Sequence, residues 1–461
     1  MTLGVFQAYD RALIDTVETD SEQDLERKLA RAEAVFKDRA GWLKPYERSA
    51  ILERLVPLLD AQRDSFAALI AREGGKPLVD AKVEATRAVD GVRNAIDELR
   101  NFGGQEIPMG LTPASDGRWA FTIREPIGVV AAISAFNHPL NLIVHQVVPA
   151  IATGCPVLIK PASTTPLSCI EFVKLVHEAG LPAAWCDTIV TDDTRLAEKL
   201  ATDPRVAFLS FIGSARVGWS LRSKLPPGTR CALEHGGSAP LLVDRAVDLD
   251  AIIEPIVKGG YYHAGQVCVS TQRIFVHAEI HDAFVERLST RVAALRVGDP
   301  RAGETEVGPL ILPKEVERVA SWVDEATASG ARITTGGKRT GETTYAPTVL
   351  VGPSIGAKVS REEVFGPVTC VYRFAELAQA IEQANSLPLS FQASVFTNDL
   401  QVALRAAERL DAAAVMINDH TAFRVDWMPF AGRKQSGYGI GGIGPTMHEM
   451  TQHKMIVLRR T

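Results

Sequence analysis

Six cysteines, at positions 155, 169, 186, 231, 268 and 370, stand singly along the 461-residue chain. No C-x-x-C pair suggests a zinc framework or a disulfide scaffold. One of them, in Gly265-Gln266-Val267-Cys268-Val269-Ser270, adjoins a polar, glycine-containing turn. A base or a backbone dipole there can convert a thiol into a nucleophile, although a packed core cysteine is the open alternative for each of the six. Glu234, in Leu233-Glu234-His235-Gly236-Gly237, follows an apolar run and can serve as a general base or stand as an ordinary loop glutamate. Asn137, in Ala135-Phe136-Asn137-His138-Pro139, offers an amide to an oxyanion, or simply forms a turn before proline. Lys160, before Pro161-Ala162-Ser163, suits ribose or phosphate oxygens beyond a strand end, and equally suits solvent. Gly213-Ser214 follows the apolar run Ala207–Ile212, so free backbone N–H groups there suit a pyrophosphate. The spacing lacks a full G-x-G-x-x-G, which leaves an ordinary strand-to-helix turn open.

The elements that must position these residues fall into two patterns. The first quarter reads as helical. A polar start at Ser21–Asp24 leads into Leu25, Leu29, Ala32 and Val35-Phe36; a second helix follows Pro45 with Ile51, Leu52, Leu55, Leu58 and Leu59; a third covers Pro77 to Leu99. The Gly- and Pro-containing stretch Gly103–Gly117 ends this block. Short apolar runs then alternate with helical segments: strands at Gly128–Ala135, Pro156–Lys160, Thr188–Val190 and Ala207–Ile212, with helices at Asn141–Ala152, Pro166–Ala179 and Thr194–Ala201. Such runs suit strands buried on both faces of a parallel, doubly wound sheet. A second α/β run starts near Pro240, with strands Leu241–Val243 and Arg273–Val276 and helices Leu249–Tyr261 and His281–Leu295. The tail Met455–Leu458 is a short, isolated strand that suggests pairing with another subunit.

Hydrophobic residues make up 46% and charged residues 23%, a globular balance that excludes extended disorder, collagen and coiled coil as the main architecture. The net charge of −5 comes from interspersed charges, which argues against a nucleic-acid surface. No apolar stretch reaches membrane-spanning length and no secretory leader is visible, so the expectation is a cytoplasmic protein with no membrane partner.

Taken together, the motifs resemble the aldehyde dehydrogenase superfamily in order and spacing over almost the whole chain. The resemblance rests on P-x-G-V-V-x-x-I-x-x-x-N at Pro126–Asn137, K-P-A at Lys160 and F-x-G-S at Phe211. It continues through L-E-x-G-G at Leu233, G-Q-x-C at Gly265, E-E-V-F-G-P at Glu362–Pro367 and P-F-A-G-x-K-x-S-G at Pro429–Gly437. The 34 residues from Glu234 to Cys268 also look like the family's spacing. The resemblance implies an α/β fold with a Rossmann-type cofactor domain (residues 1–107 and 127–235), an α/β catalytic domain (236–428) and a small β element for oligomerisation (108–126 and 450–461). It implies Cys268 as nucleophile, Glu234 as the base that activates water, and Asn137 with the Cys268 N–H as the oxyanion site. NAD or NADP is the implied cofactor, held by Lys160 and Glu363 at the riboses and Gly213 and Ser214 at the pyrophosphate. Ser134, Phe136, Ser163, Val217 and Phe365 complete that site. A homodimer or homotetramer and a small aldehyde substrate are the implied partners, with no metal.

Departures from the family pattern point to the substrate. Ser163 stands where many NAD-preferring members carry Glu, which removes repulsion of a 2′-phosphate and leaves NAD and NADP both open. Ile212 and His235 replace a usual Thr and Leu, and the usual G-x-G-R-E reads Gly437-Tyr-Gly-Ile-Gly-Gly-Ile-Gly. The N-terminus starts late, as if without the family's first strand pair. His138 stands where the family mostly has Phe, Arg424 lies in the segment that lines the substrate entrance in relatives, and Arg87 on the third helix can reach the same funnel. Arginine suits a carboxylate, phosphate or phosphonate, although a salt bridge is an alternative for each. The resulting expectation is oxidation of a small anionic aldehyde, with phosphonoacetaldehyde the most similar case and lactaldehyde or a semialdehyde as alternatives. Glu234 argues against a CoA-acylating member, and a catalytically silent structural relative is the alternative of another class.

Overall fold

The computed structural model describes residues 1–460. Val129–Ile133, five consecutive buried residues, forms the centre of a six-stranded sheet. It pairs in parallel with Val157–Lys160 on one side and Val206–Ile212 on the other. Cys186–Thr188 and Arg230–Glu234 extend the sheet in parallel, and the antiparallel strand Gly437–Tyr438 closes the edge. The parallel strands run in the spatial order 3-2-1-4-5 along the chain, the doubly wound arrangement. Strand order reverses between Val129–Ile133 and Val206–Ile212, so a crevice opens beyond their C-terminal ends. Ser134 to Asn137 leave one strand into that crevice, and Gly213-Ser214 leave the other.

A second sheet of seven strands carries Ala239–Val243, Thr271–His277 and Val368–Phe374 at its centre, all parallel. Cys268 lies in the turn just before Thr271–His277, and Glu363 in the loop before Val368–Phe374. A third, antiparallel sheet joins Arg118–Pro126 to Glu106–Ile107 and Thr451–Arg459.

Three expectations are corrected. Four α-helices, not three, precede residue 103: Glu22–Lys37, Pro45–Ala61, Arg63–Gly74 and Leu78–Leu99. Gln62 leaves helical backbone (φ −104°, ψ 11°) without a Gly or Pro to announce the break, which hides the Arg63–Gly74 helix. Thr2–Phe6 and Leu13–Glu18 form an antiparallel pair, so an initial strand pair is present. Its alternation is poor, with Phe6 and Leu13 both exposed, and a two-stranded ribbon leaves little pattern to read. The tail strand is not isolated: Thr451–Arg459 pairs residue by residue with Arg118–Pro126 of its own chain, while Trp119, Met455 and Val457 remain exposed. Residue 461, the last of the expected 450–461 element, lies outside the described residues. Among the described residues no helix is long and apolar enough to cross a membrane.

Candidate active site

A cavity of about 770 Å³ lies between the two larger sheets. It collects Cys268, Glu234 and Asn137, and with them Arg87, His138, Arg424, Ser134, Phe136, Gly213, Ser214, Val217, Glu363 and Phe365. Lys160 and Ser163 are not among its lining residues, although their neighbour Ala162 is. The Lys160 ammonium donates to the carbonyl of Pro161 at 3.0 Å, and burial pushes its pKa down to about 8.

The Cys268 turn is held from several directions. Gly265 has φ +70°, and a side-chain carbon there would come within 2.1 Å of the Gly366 carbonyl oxygen, so only glycine fits. The Gln266 side chain donates to the Pro309 carbonyl at 3.1 Å and accepts from the Ile311 N–H at 3.0 Å, which ties the turn to the 309–311 segment. Its backbone carbonyl accepts a 2.9 Å hydrogen bond from the Asn137 side-chain amide, so Asn137 lies against the cysteine turn. Burial pushes the Cys268 thiol up to about 12, and Glu363 and Glu234 add to the shift; Arg424 opposes it. Each of the other five cysteines is buried.

Glu234 ends the strand Arg230–Glu234, where its carbonyl accepts from the Gly213 N–H at 3.0 Å. Burial raises the pKa of its carboxyl and Arg424 opposes the rise. The glycine-rich C-terminal segment makes room for this carboxyl: Gly437 pairs with Glu234 across the sheet edge, and a side-chain carbon on Gly441 would sit 2.0 Å from Glu234 Oε1. Gly441→Ala is therefore expected to push the carboxylate out of position. Aldehyde turnover should fall about tenfold or more while the fold persists, and unchanged turnover would show that the Glu234 carboxylate has room elsewhere.

Glu363 occupies a similar niche. A side-chain carbon on Gly236 would meet its carboxylate at 1.6 Å. Burial pushes its pKa up to about 8. Glu363 Oε1 and Ser134 Oγ are buried with no hydrogen-bond partner among the described residues. Two unsatisfied oxygens in a crevice at a strand-order reversal suit the hydroxyls of a dinucleotide. Phe136 and Phe365 meet edge to face beside them, with ring centroids 5.8 Å apart. These residues fit a nicotinamide nucleotide.

The arginines differ in their engagement. Arg87 makes a bidentate pair with Asp426, at 2.7 and 3.1 Å. Asp426 also accepts from the Asn141 amide at 3.1 Å and contacts His145 Nε2 at 2.8 Å. Arg424 reaches only His145 Nδ1, at 3.3 Å, and lies over the Phe430 ring at 3.6 Å; its Nε has no partner among the described residues. His145 is held near a pKa of about 4 by burial and by the Arg424 charge, so it is neutral. Burial and the Lys76 charge likewise hold His138 well below its ordinary value.

Several residues at this site carried no assignment from sequence. Asp426, Asn141 and His145 are one set; Asn141 and His145, four apart on one helix face, were the available signal. Glu315, Arg318 and Trp322 line the cavity from the helix Pro313–Ala328, whose pattern is that of any amphipathic helix.

Comparison with known proteins agrees with this geometry. The sequence profile of the aldehyde dehydrogenase family matches residues 1–456. The chain is 37% identical over 457 residues to 3-sulfolactaldehyde dehydrogenase of Priestia megaterium, covering 99% of this chain and 94% of that one. It is similar to the structure of aldehyde dehydrogenase 21 from Physcomitrella patens in complex with the reaction product succinate. That match has a TM-score of 0.97 and 33% identity, and covers 100% of this chain and 95% of that one. Glyceraldehyde-3-phosphate dehydrogenase GapN from Methanocaldococcus jannaschii, complexed with NADP, superposes with a TM-score of 0.94 at 32% identity, with 99% of each chain covered.

Proposed function

Because the chain belongs to the aldehyde dehydrogenase family, we propose that it oxidises a small anionic aldehyde to its carboxylic acid with NAD or NADP. The observation that carries the anionic choice is Arg424, a cavity-lining guanidinium with no carboxylate partner among the described residues. A half-buried guanidinium whose Nε is enclosed without a partner favours an incoming anion.

The Cys268 thiol loses its proton to solvent, and the thiolate attacks the aldehyde carbon to form a thiohemiacetal. The Asn137 amide and the Cys268 backbone N–H hold the oxyanion. A nicotinamide nucleotide bound in the crevice supplies the acceptor for the hydride that leaves this adduct as it becomes a thioester. Glu234 takes a proton from water; the water adds to the thioester carbonyl, and Cys268 departs as thiolate with release of the acid. Ser134 and Glu363 offer their free oxygens to the nucleotide, and Phe136 and Phe365 pack against it. Arg424, with Arg87 and the neutral His138 beside it, takes the substrate's anionic group. Relatives named for 3-sulfolactaldehyde, and one crystallised with succinate, support small anionic substrates. Phosphonoacetaldehyde is the first substrate we would test, with sulfonate- and carboxylate-bearing aldehydes beside it.

The test is a panel of phosphonoacetaldehyde, 3-sulfolactaldehyde, succinic semialdehyde, lactaldehyde and propanal, each with NAD and with NADP, on wild type and Arg424→Ala. The substitution should raise KM for the preferred anionic aldehyde about 10- to 100-fold, the scale of a lost charge-assisted hydrogen bond of about 1.5–3 kcal/mol. A rise of the same factor for propanal would refute the anion site.

A further inference from the structure

The helical block beside the cavity contains an ion pair that the reaction does not consume. Lys76, in the loop between Arg63–Gly74 and Leu78–Leu99, pairs with Glu84, and both side chains are 0% exposed. Burying two charges costs several kcal/mol per ion before their attraction is counted, so hydrophobic residues would serve stability as well or better. Each end of the pair instead touches the structure around Asn137. Glu84 Oε1 accepts the N–H groups of Leu140 and Asn141, at 3.0 and 3.1 Å. These open the helix Asn141–Thr153, whose Leu140 N-cap supplies no side-chain cap of its own. A carboxylate on free helix N–H groups is a favourable anchor, and this one lies three residues beyond Asn137. The Lys76 ammonium lies over the Tyr262 ring, 5.7 Å from its centroid, and the Tyr262 hydroxyl reaches His138 Nε2 at 3.3 Å. Gly75, beside Lys76, has φ +72° and packs so closely on Pro309 that a side-chain carbon would come within 2.8 Å of it. The Pro309 carbonyl is the one that holds the Gln266 side chain, and the Gln266 carbonyl holds the Asn137 amide. The contacts close a ring around the oxyanion amide and the cysteine turn.

We propose that the buried Lys76–Glu84 ion pair positions the Asn137 amide, acting through the Leu140 and Asn141 N–H groups on one side and the Gly75–Pro309–Gln266 contacts on the other. Neither residue touches the substrate; both are positioning residues. The inference rests on the reading of Asn137 as the oxyanion donor.

A double-mutant cycle tests it. Lys76→Met with Glu84→Gln removes both charges together and keeps an acceptor for the helix N–H groups, so no lone buried charge is left. The cycle combines this pair with Asn137→Ala and reads kcat and KM for the best aldehyde of the panel, together with nucleotide Kd and the unfolding temperature. Asn137→Ala alone should lower kcat about 10²- to 10³-fold, the scale of one oxyanion donor. The pair variant should lower kcat about tenfold or more with nucleotide Kd unchanged. In the Asn137→Ala background the pair substitution should cost nothing further, because the amide it positions is gone. An equal loss in both backgrounds, or no loss in either, overturns the proposal. If Asn137→Ala leaves kcat unchanged, the oxyanion reading itself fails, and the inference with it. Should the pair variant not fold, Glu84→Asp takes its place in the cycle with the same outcomes, since the shortened carboxylate cannot serve Lys76 and both N–H groups together.

Discussion

Cys268→Ala is expected to abolish aldehyde oxidation, by about 10⁴-fold or more, while nucleotide binding persists. Covalent capture is the step on which the later ones depend, and no other cysteine lines the cavity. Burial, then Glu363 and Glu234, push the Cys268 thiol up to about 12, so the free enzyme holds it almost wholly protonated at neutral pH. With the thiol pKa raised, thiolate accumulates only in the alkaline range, and alkylation by iodoacetamide should accelerate there. The other five cysteines are buried, so wild type should take up one label per chain and Cys268→Ala none. Turnover within tenfold of wild type in the alanine variant would remove Cys268 as nucleophile.

Glu234→Gln carries the second large effect and isolates a different step. Gln fits the niche beside Gly441 and keeps the strand pairing with Gly437, so the loss is of basicity and not of shape. Burial raises the Glu234 pKa, which brings this carboxyl toward the value that best serves a general base near neutral pH, while the Arg424 charge keeps the rise in check. Steady-state kcat should fall about 10²- to 10³-fold. Reduced nucleotide should nevertheless appear in a rapid burst close to one per active site, because the thioester forms before Glu234 is needed. Equal slowing of the first turnover, with no burst, would place Glu234 in thiol deprotonation instead of thioester hydrolysis.

The part of the site that was legible in sequence is the part that local chain geometry builds. Glu234 ends a parallel strand, Gly213 directly follows one and Asn137 lies four residues beyond another, and the apolar runs before them marked these strand ends in sequence. Cys268 stood out by the glycine-bearing turn around it, and Gly265 is indeed a position where only glycine fits. The doubly wound sheet followed from the alternation of buried runs and amphipathic helices, because each strand buried on both faces must be nearly all apolar.

Other features depended on partners far away in the chain. Arg87 and Arg424 were both candidates for an anionic substrate in sequence, each with an ion pair as its alternative. Asp426, 339 positions from Arg87, engages one of them bidentately and leaves the other to a neutral histidine. The glycines at 437–444 follow no period in sequence; the sheet edge places Gly437 opposite Glu234 and Gly441 against its carboxylate. Lys76 and Glu84 carry no sign of burial in sequence, yet both side chains are fully buried, and Glu84 caps a helix that begins more than fifty residues later.

The sequence by itself offered residue types at strand ends and tight turns that suit attack, proton transfer or an oxyanion, and it was the order and spacing of the motifs, through their resemblance to one family, that singled out Cys268, Glu234 and Asn137 among them. Only the tertiary structure decided which charges are spent on one another: Arg87 on Asp426, while Arg424 meets a neutral histidine. Ion pairs and caps between distant segments obey no period along the chain, and their energies depend on a burial that exists only once the two sheets have closed over the cavity.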